Sequence, residues 1–273
     1  SMGTYYVYAV GASGQLVSAE YLGAGDPNGQ AAMERIDARF PEINNIVSPN
    51  EVNPEEVAAL QPDLVLGSTR FQWIDVVAEL GVPIFLYEGE TPERIKEAML
   101  LTGGLLGPNA RARAEAWVTY YDAVFEAITA QTETLGEEAR ARVLFTGSQP
   151  QRIASGDMYQ TAMIEAAGGV SVSADLRGYW NDVNLEQILL WAPDVIFVVP
   201  YHGASVEAIT ESEEWQTLTA VREGRVYRVP KLVAPWDTPV PDSVLGIVWM
   251  AQRLYPEQIE LDCAAETDYF YRI

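Results

Sequence analysis

Two short stretches set a guanidinium beside aromatic rings. Arg70-Phe71-Gln72-Trp73 follows one apolar run, and Arg177-Gly178-Tyr179-Trp180 stands ahead of another. Tyr201 and His202 follow the second run directly. Arginine offers carboxylates, phosphates and catecholates a rigid fork of donors, and aromatic faces stack on flat or bulky groups. Tyr201-His202 also has the chemistry of a haem axial ligand. A fourth stretch, Gly11-Ala12-Ser13-Gly14, can turn backbone N–H groups toward an anion, with Ser13 at its centre. In open α/β sheets ligands meet the loops at the carboxyl ends of strands; the 11–14, 70–73 and 201–202 stretches follow expected strands, and 177–180 precedes the second repeat copy. Each has a plainer reading. Trp73 and Trp180 can be packing residues, Arg70 and Arg177 can be solvated or paired with nearby acids, His202 can be a surface hydrogen-bonding residue, and 11–14 can be a simple tight turn.

Other chemistries are excluded or unsupported. The chain of 273 residues has one cysteine, Cys263, and one histidine, His202. That rules out an internal disulfide, a cysteine metal cluster and a multi-histidine zinc or iron site. A Ser–His–Asp triad is possible only through His202. There is no Gly-x-Ser-x-Gly elbow and no phosphate loop. Asp157 and Asp182 are candidate general acids without a partner at a recognisable spacing. An enzyme is therefore not expected, nor a resident cofactor or metal. A net charge of −22 speaks against nucleic acid and anionic lipid as partners. No run of eighteen apolar residues spans a membrane. No signal peptide is visible, and Ser1-Met2 reads as a cloning remnant, so the sequence is silent about a removed targeting segment.

The elements that must hold these loops are organised around a repeat. Residues 51–67 (EVNPEEVAALQPDLVLG) superpose on 182–198 (DVNLEQILLWAPDVIFV) at a constant offset of 131, that is 182 minus 51. Asn53 meets Asn184, Glu55 meets Glu186, and Pro62-Asp63 meets Pro193-Asp194. Each copy predicts a helix capped by Asn, with an acid at its positive end. A Pro then stops the helix by pushing the residue before it out of the α region, and a buried strand follows. Helix–Pro-Asp–strand is also a common α/β device that two unrelated segments can share. Around the copies, Tyr5–Val10 (YYVYAV) predicts an opening strand and Gln15–Leu22 a helix, while 26–50 reads as irregular. Thr91-Pro92-Glu93 starts a helix that fades at Gly103-Gly104. Residues 108 to about 135 form the longest helical pattern. Trp117, Tyr121, Val124 and Ile128 lie on its one apolar stripe, and it spans about 40 Å. Strands are expected at 83–87, 142–146, 195–199 and 224–229.

Four segments fall in an order that resembles a known family: NPEEVAALQPDLVLG at 53–67, NLEQILLWAPDVIFV at 184–198, WQTLTAVREGRVYRVP at 215–230 and PWDTPVPDSVLGIVWMAQRLYPE at 235–257. With the long helix, nearly the whole chain is similar to the substrate-binding proteins of ABC importers for iron–siderophore, haem and cobalamin. The resemblance implies two Rossmann-like α/β lobes, 1–107 and 137–273, joined by a linker helix at 108–136, with the ligand cleft between them. It implies a monomeric extracytoplasmic protein, free in a periplasm or lipid-anchored. Such a protein captures an iron chelate, haem or corrinoid and delivers it to a permease with little hinge motion. A second reading keeps the transport role and changes the ligand to a small oxyanion such as molybdate or tungstate. The resemblance adds the 231–241 loop, with Trp236 facing the ligand, and Met158 and Tyr159 at a helix start. It also implies one acid per lobe for docking the permease, with Asp75 or Glu79 on one side and Asp237 on the other. At the second site Thr238 stands where the family's glutamate is expected. A further departure is the start: the family opens with an Asp-x-x-Gly-Arg hairpin, whereas here the reading begins at Tyr5.

Overall fold

The computed structural model of the chain describes residues 2–19, 27–43, 52–69, 71, 73–201, 203 and 206–272. The first half carries helices α1 (Met2–Ala9), α2 (Pro27–Ile36) and α3 (Pro54–Leu60), strand β1 (Val65–Ser68), helix α4 (Ile74–Ala78), strand β2 (Ile84–Tyr87) and helix α5 (Pro92–Leu106). Helix α6 (Pro108–Thr132) leads to the second half. There the order is β3 (Arg142–Thr146), β4 (Arg152–Ala154), α7 (Tyr159–Ala166), β5 (Val170–Ser171), β6 (Trp180–Asp182), α8 (Leu185–Trp191) and β7 (Val195–Val198). Then come α9 (Glu207–Thr210), α10 (Thr219–Arg222), β8 (Val226–Arg228), α11 (Ser243–Leu254) and α12 (Cys263–Phe270).

Two α/β lobes result. In the first, β1 and β2 pair in parallel, from Val65↔Ile84 to Ser68↔Tyr87. In the second, the order is β6-β4-β3-β7-β8, with β5 also on β3. Strands β3, β7, β8 and β5 run parallel, and β4 is antiparallel to both β3 and β6. One large apolar cluster contains Tyr6, Tyr87 and Met99 from the first half, Trp117 and Ile128 from α6, and Phe145, Phe197 and Trp249 from the second. Val57, Trp73 and Val77 form a smaller core under α3 and α4.

Both repeat copies fold as their sequences require. The Asn53 Oδ1 accepts the N–H groups of Glu55 at 3.0 Å and Glu56 at 3.4 Å, and the Asn184 Oδ1 accepts that of Gln187 at 2.8 Å. Each helix ends one residue before Pro-Asp, at Gln61 (φ +49°) and Ala192 (φ +44°). These are the only non-glycine residues with positive φ among those described. They are counterparts at the repeat offset, so the two copies share a strained backbone as well as a pattern.

Four expectations are corrected. Tyr5–Val10 is not a strand but lies in α1 and the turn that ends it, where Tyr6, Val7 and Val10 turn one face into the core. A six-residue run of aromatic and β-branched residues fits either element, and tertiary burial decides. Gly11 (φ +68°) therefore closes a helix. Its N–H goes to Tyr8 O at 2.9 Å and that of Ala12 to Val7 O at 3.0 Å, a Schellman closure. Ser13–Gln15 is a single 3₁₀ turn and Leu16 is extended, so Gln15–Leu22 does not begin as a helix; residues 20–22 lie outside those described. The third correction is α5, which runs through Gly103-Gly104 to Leu106. A Cβ on Gly103 would stand 2.7 Å from the Ala114 Cβ, so this glycine lets α5 and α6 approach closely. Within the stretch read as irregular, α2 is an ordered helix.

Candidate ligand site at the boundary between the lobes

The lobes meet around the start of α7. Met158, its N-cap residue, gives no side-chain cap. The cap comes from the other lobe instead: the Glu90 Oε2 accepts the Tyr159 N–H at 2.8 Å. A carboxylate oxygen thus sits on the positive end of a helix dipole, where an anion is favoured. The Tyr6 hydroxyl donates to Pro239 O at 3.3 Å, and a Cβ on Gly89 would lie 2.7 Å from the Pro239 Cβ. Lobe contact here therefore needs a residue without a side chain at position 89.

The loop before α7 is pinned to the loop before β6. Gly156 N–H goes to Leu176 O at 3.0 Å, the Ser155 hydroxyl to Gly178 O at 2.6 Å, and Gly178 N–H to the Asp157 Oδ2 at 2.8 Å. A Cβ on Gly156 would fall 2.0 Å from Ala174 O, so no other residue fits. Arg177, mostly exposed, bonds Ala174 O at 3.0 Å and stands 3.8 Å from the Asp157 carboxylate. Its guanidinium is thus paired within the cradle. Tyr179 is exposed, and Trp180 packs its ring on Gly147.

Behind α7 lies a buried polar group. Gln160 donates to Asp237 O at 3.0 Å, and the Tyr201 hydroxyl donates to the Asp237 Oδ2 at 2.9 Å. Burial pushes the Asp237 carboxyl up to about 6, and the donors from Tyr201 and Gln160 offset only part of that. The Asp237 Oδ1 and Gln160 Oε1 have no hydrogen-bond partner. Asp237 is fully buried, so it cannot present a docking carboxylate, which must be exposed. Asp75 and Glu79 are both exposed, at α4 and its C-terminal cap.

The remaining candidates are scattered. Arg70 and His202 lie outside the described residues. Phe71 stacks on Trp73 at 5.2 Å, and Trp73 is buried in the small core. Trp236 is buried at 4% exposure. Ser13 is half-buried, and its carbonyl accepts the Arg39 Nη2 at 2.9 Å. The structure brings the start of α7, just after Met158 and Tyr159, to the 231–241 loop through Gln160 and Asp237; it leaves Trp73 and Ser13 with their own lobe. Sequence reasoning missed Glu90 and Gln160. Their contacts join residues 69 and 77 positions apart, and no local pattern marks them. Gly89 was the available signal, a glycine between two acids just ahead of a helix cap. Among the described residues no three His, Cys, Asp or Glu side chains converge as a metal site, and no helix is long and apolar enough to cross a membrane.

A family model described as periplasmic binding protein matches residues 3–232. The Haemophilus influenzae protein named molybdate-binding protein MolA is 28% identical over 261 residues, 85% of this chain and 74% of its own. Its structure with bound molybdate aligns with a TM-score of 0.81 at 20% identity, covering 99% of this chain and 89% of that one. A Yersinia pestis protein named vitamin B12-binding protein is 27% identical over 168 residues, 58% of each chain. The periplasmic heme-binding protein RhuT from Roseiflexus sp. RS-1, in apo form, aligns with a TM-score of 0.72 at 19% identity, covering 93% of this chain and 95% of that one.

Proposed function

This chain belongs to the periplasmic binding protein family, the extracytoplasmic solute-binding components of ABC transporters, and from that premise we propose that its ligand is a small oxyanion of the molybdate or tungstate class. The observation that carries the ligand class is the Glu90 carboxylate on the Tyr159 N–H at 2.8 Å, across the lobe boundary. An anionic oxygen already holds the start of α7, and a dianion entering between the lobes competes for that N–H with twice the charge. The fate of the aromatic residues favours the same reading. Trp73 and Trp236 are packed inside the protein, not arranged as walls for a macrocycle, and the lobes touch directly at Gly89 and Pro239. The relative named for molybdate binding is matched over most of this chain. The protein acts as a monomer and docks the permease through exposed acids, with Asp75 and Glu79 serving the first lobe.

Titration calorimetry with molybdate, tungstate and sulfate, beside haemin, ferric catecholate and cobalamin, tests this reading. One-to-one binding of molybdate or tungstate with silence from the chelates is the expected outcome. A Soret band with haemin, or tryptophan quenching by sub-micromolar chelate, sinks it. The iron-chelate, haem or corrinoid reading then takes its place, favoured by the relatives named for vitamin B12 and heme binding. Glu90→Gln removes the competing charge and is expected to tighten molybdate binding by about tenfold, equivalent to ~1.4 kcal/mol. A weaker complex would make Glu90 part of the site instead of its internal competitor.

A further inference from the structure

Two buried oxygens near the lobe boundary lack a donor. Asp237 has no exposed surface and Gln160 almost none. The Asp237 Oδ2 takes the Tyr201 hydroxyl at 2.9 Å, and the Gln160 Nε2 goes to Asp237 O at 3.0 Å. The Asp237 Oδ1 and Gln160 Oε1 remain, on two residues already bonded to each other, with no hydrogen-bond partner. Leaving a buried acceptor unmatched is costly, and more so when it is charged. An ionised Asp237 also lacks a counterion. No lysine or arginine among the described residues acts on it, and no second carboxylate does.

The pair stands where α7 meets the loop that touches the other lobe. Gln160 follows Tyr159, whose N–H is held by Glu90 of the first lobe. Asp237 is two residues ahead of Pro239, whose carbonyl takes the Tyr6 hydroxyl at 3.3 Å and whose ring leaves no room for a side chain at Gly89. A second tie joins the same two segments: the Tyr159 and Ser243 hydroxyls lie 2.8 Å apart, and Ser243 donates to Val240 O at 2.6 Å. That tie is between neutral hydroxyls, whereas the tie through Asp237 includes a carboxyl that can ionise. The titratable groups around Asp237 are Tyr201 after β7, Glu90 and Tyr159 at the start of α7, and Asp242 ahead of α11. Burial and the Asp237 charge keep the Tyr201 hydroxyl protonated as a donor. Asp242 is turned to the Tyr271 hydroxyl instead. Lys231 opens the loop without acting on Asp237, and His202 lies outside the described residues.

We propose that Asp237 and Gln160 are a positioning pair that shares one proton: the Asp237 Oδ1–H donates to the Gln160 Oε1 and locks the 231–241 loop onto α7, setting the face that the second lobe turns to the first. One proton supplies both missing bonds and leaves no buried charge. It comes from solvent, and it returns there when the loop lifts and water reaches the carboxyl. Burial raises the locked carboxyl to about 6 from an ordinary 3.8, so locking takes up a proton between about pH 4 and 6. The lock is tightest at the acid end, loosens as pH rises through that window and changes little above it. Its bearing on transport rests on the reading of this boundary as the ligand site: a ligand held between the lobes is then gripped harder at the acid end.

Two measurements on the ligand-free chain test the pair. The first is the carbon-13 shift of the Asp237 Cγ, followed from pH 4 to 8. It is expected to titrate with a midpoint near 6. A carboxyl that stays ionised down to pH 5 overturns the proposal, because a buried water donating to both oxygens then replaces the proton. The second is hydrogen exchange of the Trp236 and Val240 amides, which bond within the loop to Pro230 O and Thr238 O. Their protection, corrected for intrinsic exchange, is expected to fall about tenfold from pH 5 to 7.5. In Asp237→Asn the side-chain amide donates where the acid's O–H did, so protection is expected to stay at the acid-end level throughout. A fall in Asp237→Asn equal to that of the parent chain also overturns the proposal, since Glu90, Asp242 or His202 then carries the effect. If Asp237→Asn does not fold, the Cγ titration decides alone. Neither measurement involves a ligand, so an error in the ligand class leaves both outcomes unchanged and shows only in the calorimetry.

Discussion

The Asp237 carboxyl is fully buried, held by the Tyr201 hydroxyl and pushed up to about 6 by desolvation. Asp242, held by the Tyr271 hydroxyl, is raised to about 6 for the same reason. In the unfolded chain both titrate near 3.8. Between about pH 4 and 6 the native state therefore binds more protons than the unfolded state, and stability falls as pH rises through that window. The loss is on the order of 3 kcal/mol for each group. A melting series from pH 4 to 8 should show Tm highest at the acid end and level above about pH 7. Asp237→Asn should flatten the slope, while a slope unchanged in Asp237→Asn and Asp242→Asn would remove this account. Gly156 has no room for a side chain. A methyl group there meets Ala174 O at 2.0 Å, so Gly156→Ala should cost about 2–4 kcal/mol in denaturant unfolding. It should also loosen the cradle that carries Tyr159 N–H.

The helices and strands show which local signals are sufficient. Asn53, Asn184 and Thr91 were legible as caps because a short polar side chain, an acid-rich first turn and a following apolar run have few other uses. Strands β1 and β7 were legible from apolar runs bounded by Pro-Asp. Helix α1 was not, because Tyr, Val and Ala in six residues satisfy both periods and only burial against Tyr87 and α5 chooses between them. Gly11 was misread for a related reason: a glycine that ends a helix and one that opens a loop look alike in sequence. The candidate ligand site was the least legible part. Glu90 reaches Tyr159, and Tyr201 reaches Asp237, through a tertiary fold that brings distant segments together. The repeat supports paired predictions. Asn53→Ala and Asn184→Ala should each cost about 1 kcal/mol. Gln61→Gly and Ala192→Gly should each stabilise by up to about 1 kcal/mol, since both sites are left-handed and glycine adopts that backbone freely. Opposite signs at the two sites, by urea titration, would show that the copies share a sequence pattern but not a strain.

Across the whole molecule, the net charge of −22 acts against an anionic ligand. Long-range repulsion slows the approach of a dianion, and salt relieves it. Stopped-flow association of molybdate should therefore speed up as ionic strength rises from about 0.01 to 0.15 M. A rate that falls with salt would mean that a locally positive entrance outweighs the global field. The large apolar cluster couples the two lobes. It draws on both lobes and on α6, so heat should unfold the second lobe together with the α5–α6 layer of the first. The small core around Trp73 is separate and is the place where early local opening should be seen.

Helix α6 is an unbroken strut of 25 residues, about 37 Å from end to end. A tilt of only about 5° about one end carries the other end some 3 Å. Geometry of this kind acts as a lever: small changes of angle at the lobe boundary become changes of span at the outer faces, while the shape of each lobe stays constant. Under the proposed transport role, a partner touching both lobes would meet that change of span as a change in the distance between its two contacts.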